Sequence, residues 1–269
     1  MDVVVLGGMG GLGRLVCAEL ERRGTRVRPI GRRDGDVRDA EVVARLTAGA
    51  NAIVNCAGAS VAMGLGRGWR GYGAVDTPIG IAAGEAARRH RVRLVYVAVA
   101  HPPALATTAY IAAHERVVAA TADIDAVIVR PTGFYAAYTA LLPMARRGTL
   151  VDIGDGHTRT NPIAEHDVAE IVAESVRGDG PREIACGGPE VITRREIFER
   201  VGAASGREVR VRGMPVWLAR AGSAVMRLVH PRMGQFAQFA AGLAVHDVIV
   251  PSLGTRRFDD YLRALSAAA

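Results

Sequence analysis

The sequence predicts an α/β fold built on a doubly wound parallel sheet, with a smaller, mostly helical C-terminal lobe. Three observations carry this. Short runs such as Val3-Val4-Val5-Leu6 and Ala126-Val127-Ile128-Val129 are apolar along their whole length, as strands buried on both faces must be. Segments of helical period separate these runs, and that alternation calls for parallel pairing through right-handed crossovers. The first run also ends in a cluster of glycines that opens directly into a helix.

Taken in order, residues 14–23 put Leu15, Ala18 and Leu20 on one side of a helix, and Gly24 tolerates the left-handed backbone that ends it. Residues 27–30, 52–55, 94–99 and 126–129 read as strands, the last stopped by Arg130-Pro131. Helices fall between them at 40–48, 78–90 and 109–120. After Pro131 the rhythm loosens. Residues 141–147 look helical, 153–156 form a turn, 165–176 a helix, and 183–186 a strand placed to rejoin the sheet. Thr193 with Glu196 three residues later is a capping box for a helix over 193–201. Two apolar helices follow at 217–229 and 232–245.

Composition narrows the function classes. Of 269 residues, 49% are hydrophobic and 23% charged, which supports a large core and argues against disorder. No apolar run approaches the roughly 18 residues of a membrane span, and the N-terminus does not read as a signal peptide. The expectation is a cytoplasmic protein with no membrane partner. All 34 basic residues are arginines, against 27 acidic ones, giving a net charge of +7. They are spread along the chain without a basic block or aromatic interleaving, so no nucleic-acid partner is expected. With no lysine, no step can use a lysine amine. Cys17, Cys56 and Cys186 are distant and odd in number, which argues against disulfides or a zinc ribbon. Glu165-His166-Asp167 and His246-Asp247 lack a metal-ligand spacing, so no metal is expected.

The informative segment is Gly7-Gly8-Met9-Gly10-Gly11-Leu12-Gly13, directly after the first strand. Gly7 makes the tight turn, Gly10 lets the backbone approach a pyrophosphate, and Gly13 lets the helix pack on the sheet. The helix N-terminus offers free N–H groups and a positive dipole end to the phosphates. The second strand ends in Ile30-Gly31-Arg32-Arg33, where an NAD site would place an acid for the ribose 2′-hydroxyl. Guanidinium groups there suit a 2′-phosphate, so NADP(H) is favoured over NAD(H). Asp36 can accept the adenine amino group while Val37 packs on the ring, and Cys56-Ala57-Gly58 permits close approach to the adenosine ribose. The organisation expected is a dinucleotide-binding core over 1–133 and a substrate lobe over 134–269.

Gly7-x-x-Gly10-x-x-Gly13, Asp36-Val37, Asn55-Cys56-Ala57-Gly58, Tyr110 with a residue four later, and Arg130-Pro131-Thr132-Gly133-Phe134 occur in that order. In this the chain resembles the extended and atypical short-chain dehydrogenase/reductases, most of all their NmrA-like NAD(P)H-binding branch, with a Rossmann fold. The resemblance covers about residues 1–200. It implies that the cofactor touches Gly7, Met9, Gly10, Gly11, Leu12 and Gly13, then Arg32, Arg33, Asp36, Val37 and Cys56 to Gly58. Nearer the nicotinamide it implies Tyr110, His114, Pro131, Thr132, Gly133 and Phe134.

The resemblance also implies a Ser, Tyr and Lys catalytic set, from which this chain departs. Tyr110 takes the tyrosine position, His114 that of the lysine, and Ala98 that of the serine. A phenol with pKa near 10 needs a cation or strong donor beside it. His114 can serve when protonated, or can hydrogen-bond the ribose when neutral. Thr107 and Thr108 are candidates for the missing hydroxyl. Ala98, Phe134, Tyr135, Tyr138, Asn161 and Trp217 are the expected substrate-side residues. The function expected is an NADP(H)-dependent oxidoreductase of a small, largely apolar carbonyl or enone compound. The alternatives are a non-catalytic NAD(P)H sensor, or an isomerase or cyclase on the same fold. Partners are the small-molecule substrate and a second copy in a homodimer.

Overall fold

The computed structural model describes residues 1–59 and 68–267. Its centre is one parallel sheet. Strands β1 (Asp2–Leu6), β2 (Arg26–Ile30), β3 (Ala52–Asn55), β4 (Arg93–Val97) and β5 (Ala126–Pro131) come from the first half of the chain. Helices α1 (Gly11–Arg22), α2 (Ala40–Leu46), α3 (Asp76–His90) and α4 (Ala109–Ala120) lie between them. The second half adds α5 (Tyr135–Thr139), α6 (Leu142–Ala145), β6 (Thr149–Ile153), β7 (Arg159–Thr160) and α7 (Glu165–Ser175). It continues with β8 (Glu183–Cys186), β9 (Ile192–Thr193), α8 (Arg194–Ala204) and β10 (Arg210–Met214). Helices α9 (Val216–Val229), α10 (Pro231–Leu243) and α11 (Phe258–Ala267) close the order.

The six-stranded sheet runs β2-β1-β3-β4-β5-β8, with every pairing parallel. The predicted strand at 183–186 does rejoin it beside β5. Side chains alternate along each strand. Val3, Val5, Val54, Val95 and Val127 pack with α1 and α7 on one face. Val4, Leu6, Ile53, Leu94, Tyr96 and Ile128 pack with the alanines of α3 on the other. That two-sided burial is why these strands carry no polar alternation. Arg130 ties three elements together, pairing with Glu115 on α4 and with Glu183 on β8.

Strand order reverses direction between β1 and β3. In an open α/β sheet the crevice beyond the strand C-termini at such a point is the ligand position. Gly7 follows β1 there, and Ala57-Gly58 follows β3.

Two features differ from the sequence expectations. A second parallel pair, β6 with β10, lies where only a turn at 153–156 was expected. Helix α1 starts at Gly11, not at residue 14, because the glycine cluster itself forms the first helical turn. The expected capping box is present at α8, where the Thr193 hydroxyl and the Glu196 carboxylate each satisfy the other's backbone.

Candidate active site

The glycine loop has the geometry of a phosphate cradle. Gly7 has φ +77°, and a Cβ on it would lie 2.7 Å from the Ala57 backbone nitrogen, so only glycine fits between β1 and the exit of β3. A Cβ on Gly13 would collide with the Gly7 carbonyl oxygen at 2.1 Å, which sets how closely α1 packs on the loop. Gly11 is the opposite case: nothing lies within 4 Å of its Cβ position. Helix α1 also has no side-chain cap and no acidic residue in its first turn. Its leading N–H groups therefore point, unpaired among the described residues, at the open side of Gly11, as an anion site requires.

At the end of β2 the one nearby acid is used internally. Asp34 Oδ2 accepts the Gly31 N–H at 2.7 Å. Arg32 and Arg33 are exposed and make no ion pair among the described residues. Asp36 has an internal partner. Its carboxylate is bound by the Arg38 guanidinium at 2.6 Å and by the Arg38 N–H, and this holds it down to about 2. Val37 is partly buried against the core.

Beyond the β3 exit lies a buried polar cluster. Asp76, at the start of α3, accepts the Ala59 N–H at 3.0 Å through Oδ1, and a Cβ on Gly58 would lie 2.5 Å from that oxygen. The strap Ala57-Gly58-Ala59 thus touches the glycine loop on one side and Asp76 on the other. Tyr110 packs edge-on against Tyr72 at 4.5 Å and against His114 at 5.2 Å between ring centres. Phe239 of α10 stands 5.0 Å from the same ring. Tyr96 Oη meets His114 Nδ1 at 2.7 Å.

Four of these buried groups have an atom with no hydrogen-bond partner among the described residues: Asn55 Nδ2, Tyr72 Oη, Asp76 Oδ2 and His114 Nε2. Each of the four side chains is more than nine-tenths buried. Unpaired buried polar atoms are costly, and such a concentration calls for a partner. Burial pushes the Asp76 carboxyl up to about 7, against the Ala59 N–H and the charge of Arg232. Burial also holds His114 down to about 4 and raises the Tyr110 phenol well above its ordinary value, helped by Tyr72 and Asp76. Of the two roles expected of His114, burial favours the neutral imidazole over the protonated one, and it favours the protonated phenol of Tyr110. Thr108 gives its hydroxyl to the Leu105 carbonyl at 2.7 Å as part of the α4 entry turn, Thr107 is exposed, and Ala98 is buried.

Most expected substrate-side residues have structural partners. Tyr135 is buried against Phe258 and Tyr261, and its hydroxyl donates to the Arg256 carbonyl at 2.8 Å. Tyr138 packs on Phe258 in the same cluster. Asn161 is fully buried; its amide donates to the Val250 carbonyl at 2.8 Å and its oxygen accepts the Val250 N–H. Trp217 is 70% exposed and faces solvent. Thr132 donates to the Asn161 carbonyl at 2.6 Å, which holds the Pro131–Phe134 turn against the β7 segment, and Phe134 packs partly on the sheet core. Glu165 and Asp167 likewise bind backbone N–H groups, of Ala136 and of Thr255 and Arg256. Asp76, Tyr72 and Tyr96 were not among the expected site residues, and Asn55 was named only as part of the Asn55–Gly58 motif.

Residues 3–102 match the model of the NAD dependent epimerase/dehydratase family. Over that stretch the resemblance to the extended short-chain dehydrogenase/reductases holds. The matched region ends before Tyr110, and the finer NmrA-like placement stays an expectation. No curated protein matches the sequence. Among solved structures, the human epimerase family protein SDR39U1 with NADPH is 21% identical, with a TM-score of 0.74 and all of both chains covered. A nucleoside-diphosphate-sugar epimerase of Staphylococcus aureus is 16% identical, with a TM-score of 0.73, covering 98% of this chain and 100% of that one. The NADPH-dependent quinone oxidoreductase of Escherichia coli, complexed with NADPH, is 15% identical, with a TM-score of 0.72, covering 98% and 99%. At these identities the likeness shows the fold, which is that of NAD(P)-binding epimerases and reductases.

Proposed function

We propose that this chain is an NADP(H)-dependent oxidoreductase acting on a small, largely apolar carbonyl or enone compound. The observation that carries the reading is the pairing of an open, uncapped helix N-terminus at Gly11 with two unpaired arginines at the β2 end. The cradle fits a dinucleotide: the loop N–H groups hold a pyrophosphate, and Arg32 and Arg33 hold a 2′-phosphate. That similar folds were crystallised with NADPH supports the choice.

When bound, the nicotinamide supplies a hydride. The chain's own residues supply orientation, exclusion of water and a proton. Tyr110 retains its proton, so its hydroxyl acts as a donor and not as a base. His114 is neutral; through Nδ1 it is fixed by Tyr96, and Nε2 is left to face a ligand. Asp76 is the member of the cluster whose carboxyl burial raises to about 7, so its charge acts on the Tyr110 donor near neutrality. The apolar wall formed by Leu105, Phe236 and Phe239 beside Tyr110 suits a substrate with little charge.

Calorimetry with NADPH and NADH, followed by NADPH oxidation against a series of carbonyl and enone compounds, tests this. Tight NADPH binding with turnover of an uncharged carbonyl compound is expected. Absence of binding to either dinucleotide would overturn it.

A further inference from the structure

Helix α9 leaves a large apolar face uncovered. It packs mainly on α10, burying Ala219 and Ser223. The opposite side carries Trp217, Ala221, Val225 and Leu228, which helical spacing puts on one face. Trp217 is 70% exposed and Leu228 83%. Monomeric proteins seldom present so continuous a stripe without a use for it.

Charge and aromatic placement say what covers this face. From residue 209 to 246 the chain has five arginines and no acidic residue. Arg220 and Arg227, seven residues apart, run along one margin of the apolar stripe. Both are exposed, as are Arg210 and Arg212 on β10, and none of the four makes an ion pair among the described residues. Elsewhere in the chain, arginines such as Arg22, Arg88 and Arg130 are paired with acids. The two tryptophans of the chain are also both exposed, and they stand at opposite ends of α9. Trp217 is at its start. Trp69 stacks 5.5 Å from His230, the residue joining α9 to α10. Tryptophan at the start of the helix, arginine along its margin and aliphatic side chains beyond it make the pattern of a helix lying in a bilayer interface.

We infer that α9 docks on an anionic lipid surface, with the Trp217–Leu228 face in the headgroup–acyl boundary and Arg220 and Arg227 on lipid phosphates. No helix of the described chain is long and apolar enough to cross a membrane, and none is needed, because α9 lies in the plane. The expectation of no membrane partner rested on the lack of a spanning run, which an in-plane helix does not need. It is independent of the proposed reaction.

The test is co-sedimentation of the full chain with vesicles of phosphatidylcholine alone and of phosphatidylcholine mixed with phosphatidylglycerol. Binding should be at least about tenfold tighter to the mixed vesicles and should weaken with salt, since each arginine near an anionic surface contributes roughly fivefold. In Trp69→Phe, where Trp217 is the sole tryptophan, the emission should shift to the blue on binding and be quenched by brominated lipid. Val225→Asp with Leu228→Asp should abolish binding. Arg220→Glu with Arg227→Glu should remove the preference for anionic vesicles. All these side chains are exposed, so melting temperature and NADPH binding serve as controls for folding. The proposal is overturned by an unshifted Trp217 spectrum with mixed vesicles, or by retained binding in the double aspartate variant. It is equally overturned by a concentration-dependent dimer that the double aspartate variant dissolves, which would make the face a contact between two copies.

Discussion

Removing Arg32 and Arg33 together should change cofactor choice and nothing else. Both side chains are exposed and unpaired among the described residues, so their loss breaks no internal contact. Exposed substitutions of this kind shift folding stability by no more than about 0.5 kcal/mol. The effect then falls on the 2′-phosphate alone. A well-made charged hydrogen bond contributes about 1.5–3 kcal/mol, and solvent exposure with salt screening brings the pair toward the low end. At about 1.5 kcal/mol, Arg32→Ala with Arg33→Ala should weaken NADPH binding roughly tenfold and leave NADH binding unchanged. Raising the salt concentration on the unmodified protein should narrow the NADPH/NADH ratio in the same direction. Calorimetry with both dinucleotides measures it. An affinity ratio that stays within about twofold, or an equal loss for both cofactors, would refute the assignment of these arginines.

The buried cluster makes the remaining predictions. Asp76 is raised in the folded chain from 3.8 to about 7, so the folded state holds the extra proton. Its contribution is present below pH 4 and is lost as pH rises to 7, by several kcal/mol. His114 is lowered from 6.5 to about 4; the unfolded chain binds its proton first, so its contribution is lost as pH falls through that window. The two oppose each other, and Asp76→Asn should be more stable than the parent at pH 7, with stability that only rises from pH 4 to 6.5 in chemical denaturation. The parent is expected to lose reductase turnover as pH rises through about 7, and the same variant should lose that dependence. Tyr110→Phe should cut turnover by about 100-fold or more at unchanged NADPH affinity, and full turnover in that variant would move the donor elsewhere. Far from this site, Arg194 Nη2 holds the fully buried Asp152 at 2.7 Å. Arg194→Ala should cost about 3–5 kcal/mol, seen in the melting temperature, with cofactor binding intact.

The sheet was legible because its strands are buried on both faces, and a run such as Val3 to Leu6 admits no other reading. The β6–β10 pair was not. Arg210-Val211-Arg212 carries exposed charges, and its partner at Thr149–Ile153 lies far away in the chain, so no local pattern announces the pairing. The glycine loop could be read because each glycine answers a separate backbone demand. The substrate side could not. Asn161, Tyr135 and Tyr138 are residue types that serve equally as ligands or as core pins, and only their partners in the folded chain decide. Asp76 lies before the helix expected over 78–90, and it is a buried carboxyl because α3 begins at Asp76 itself, where its Oδ1 accepts the Ala59 N–H. The neutral state of His114 likewise comes from tertiary burial, which its spacing from Tyr110 does not contain.

The central claim is that a dinucleotide pyrophosphate sits on the N-terminus of α1, and NADPH titration of Gly11→Val tests it most directly. Gly11 has no atom within 4 Å of its Cβ position and no left-handed backbone, so the new Cβ stands in open space. The valine would occupy the space the phosphates need. Gly10 is a poorer probe, since its Cβ already lies 3.1 Å from the Gly7 carbonyl oxygen. The account predicts that Gly11→Val melts within a few degrees of the parent and loses NADPH affinity by at least about 100-fold. A variant that binds NADPH as the parent does would contradict it.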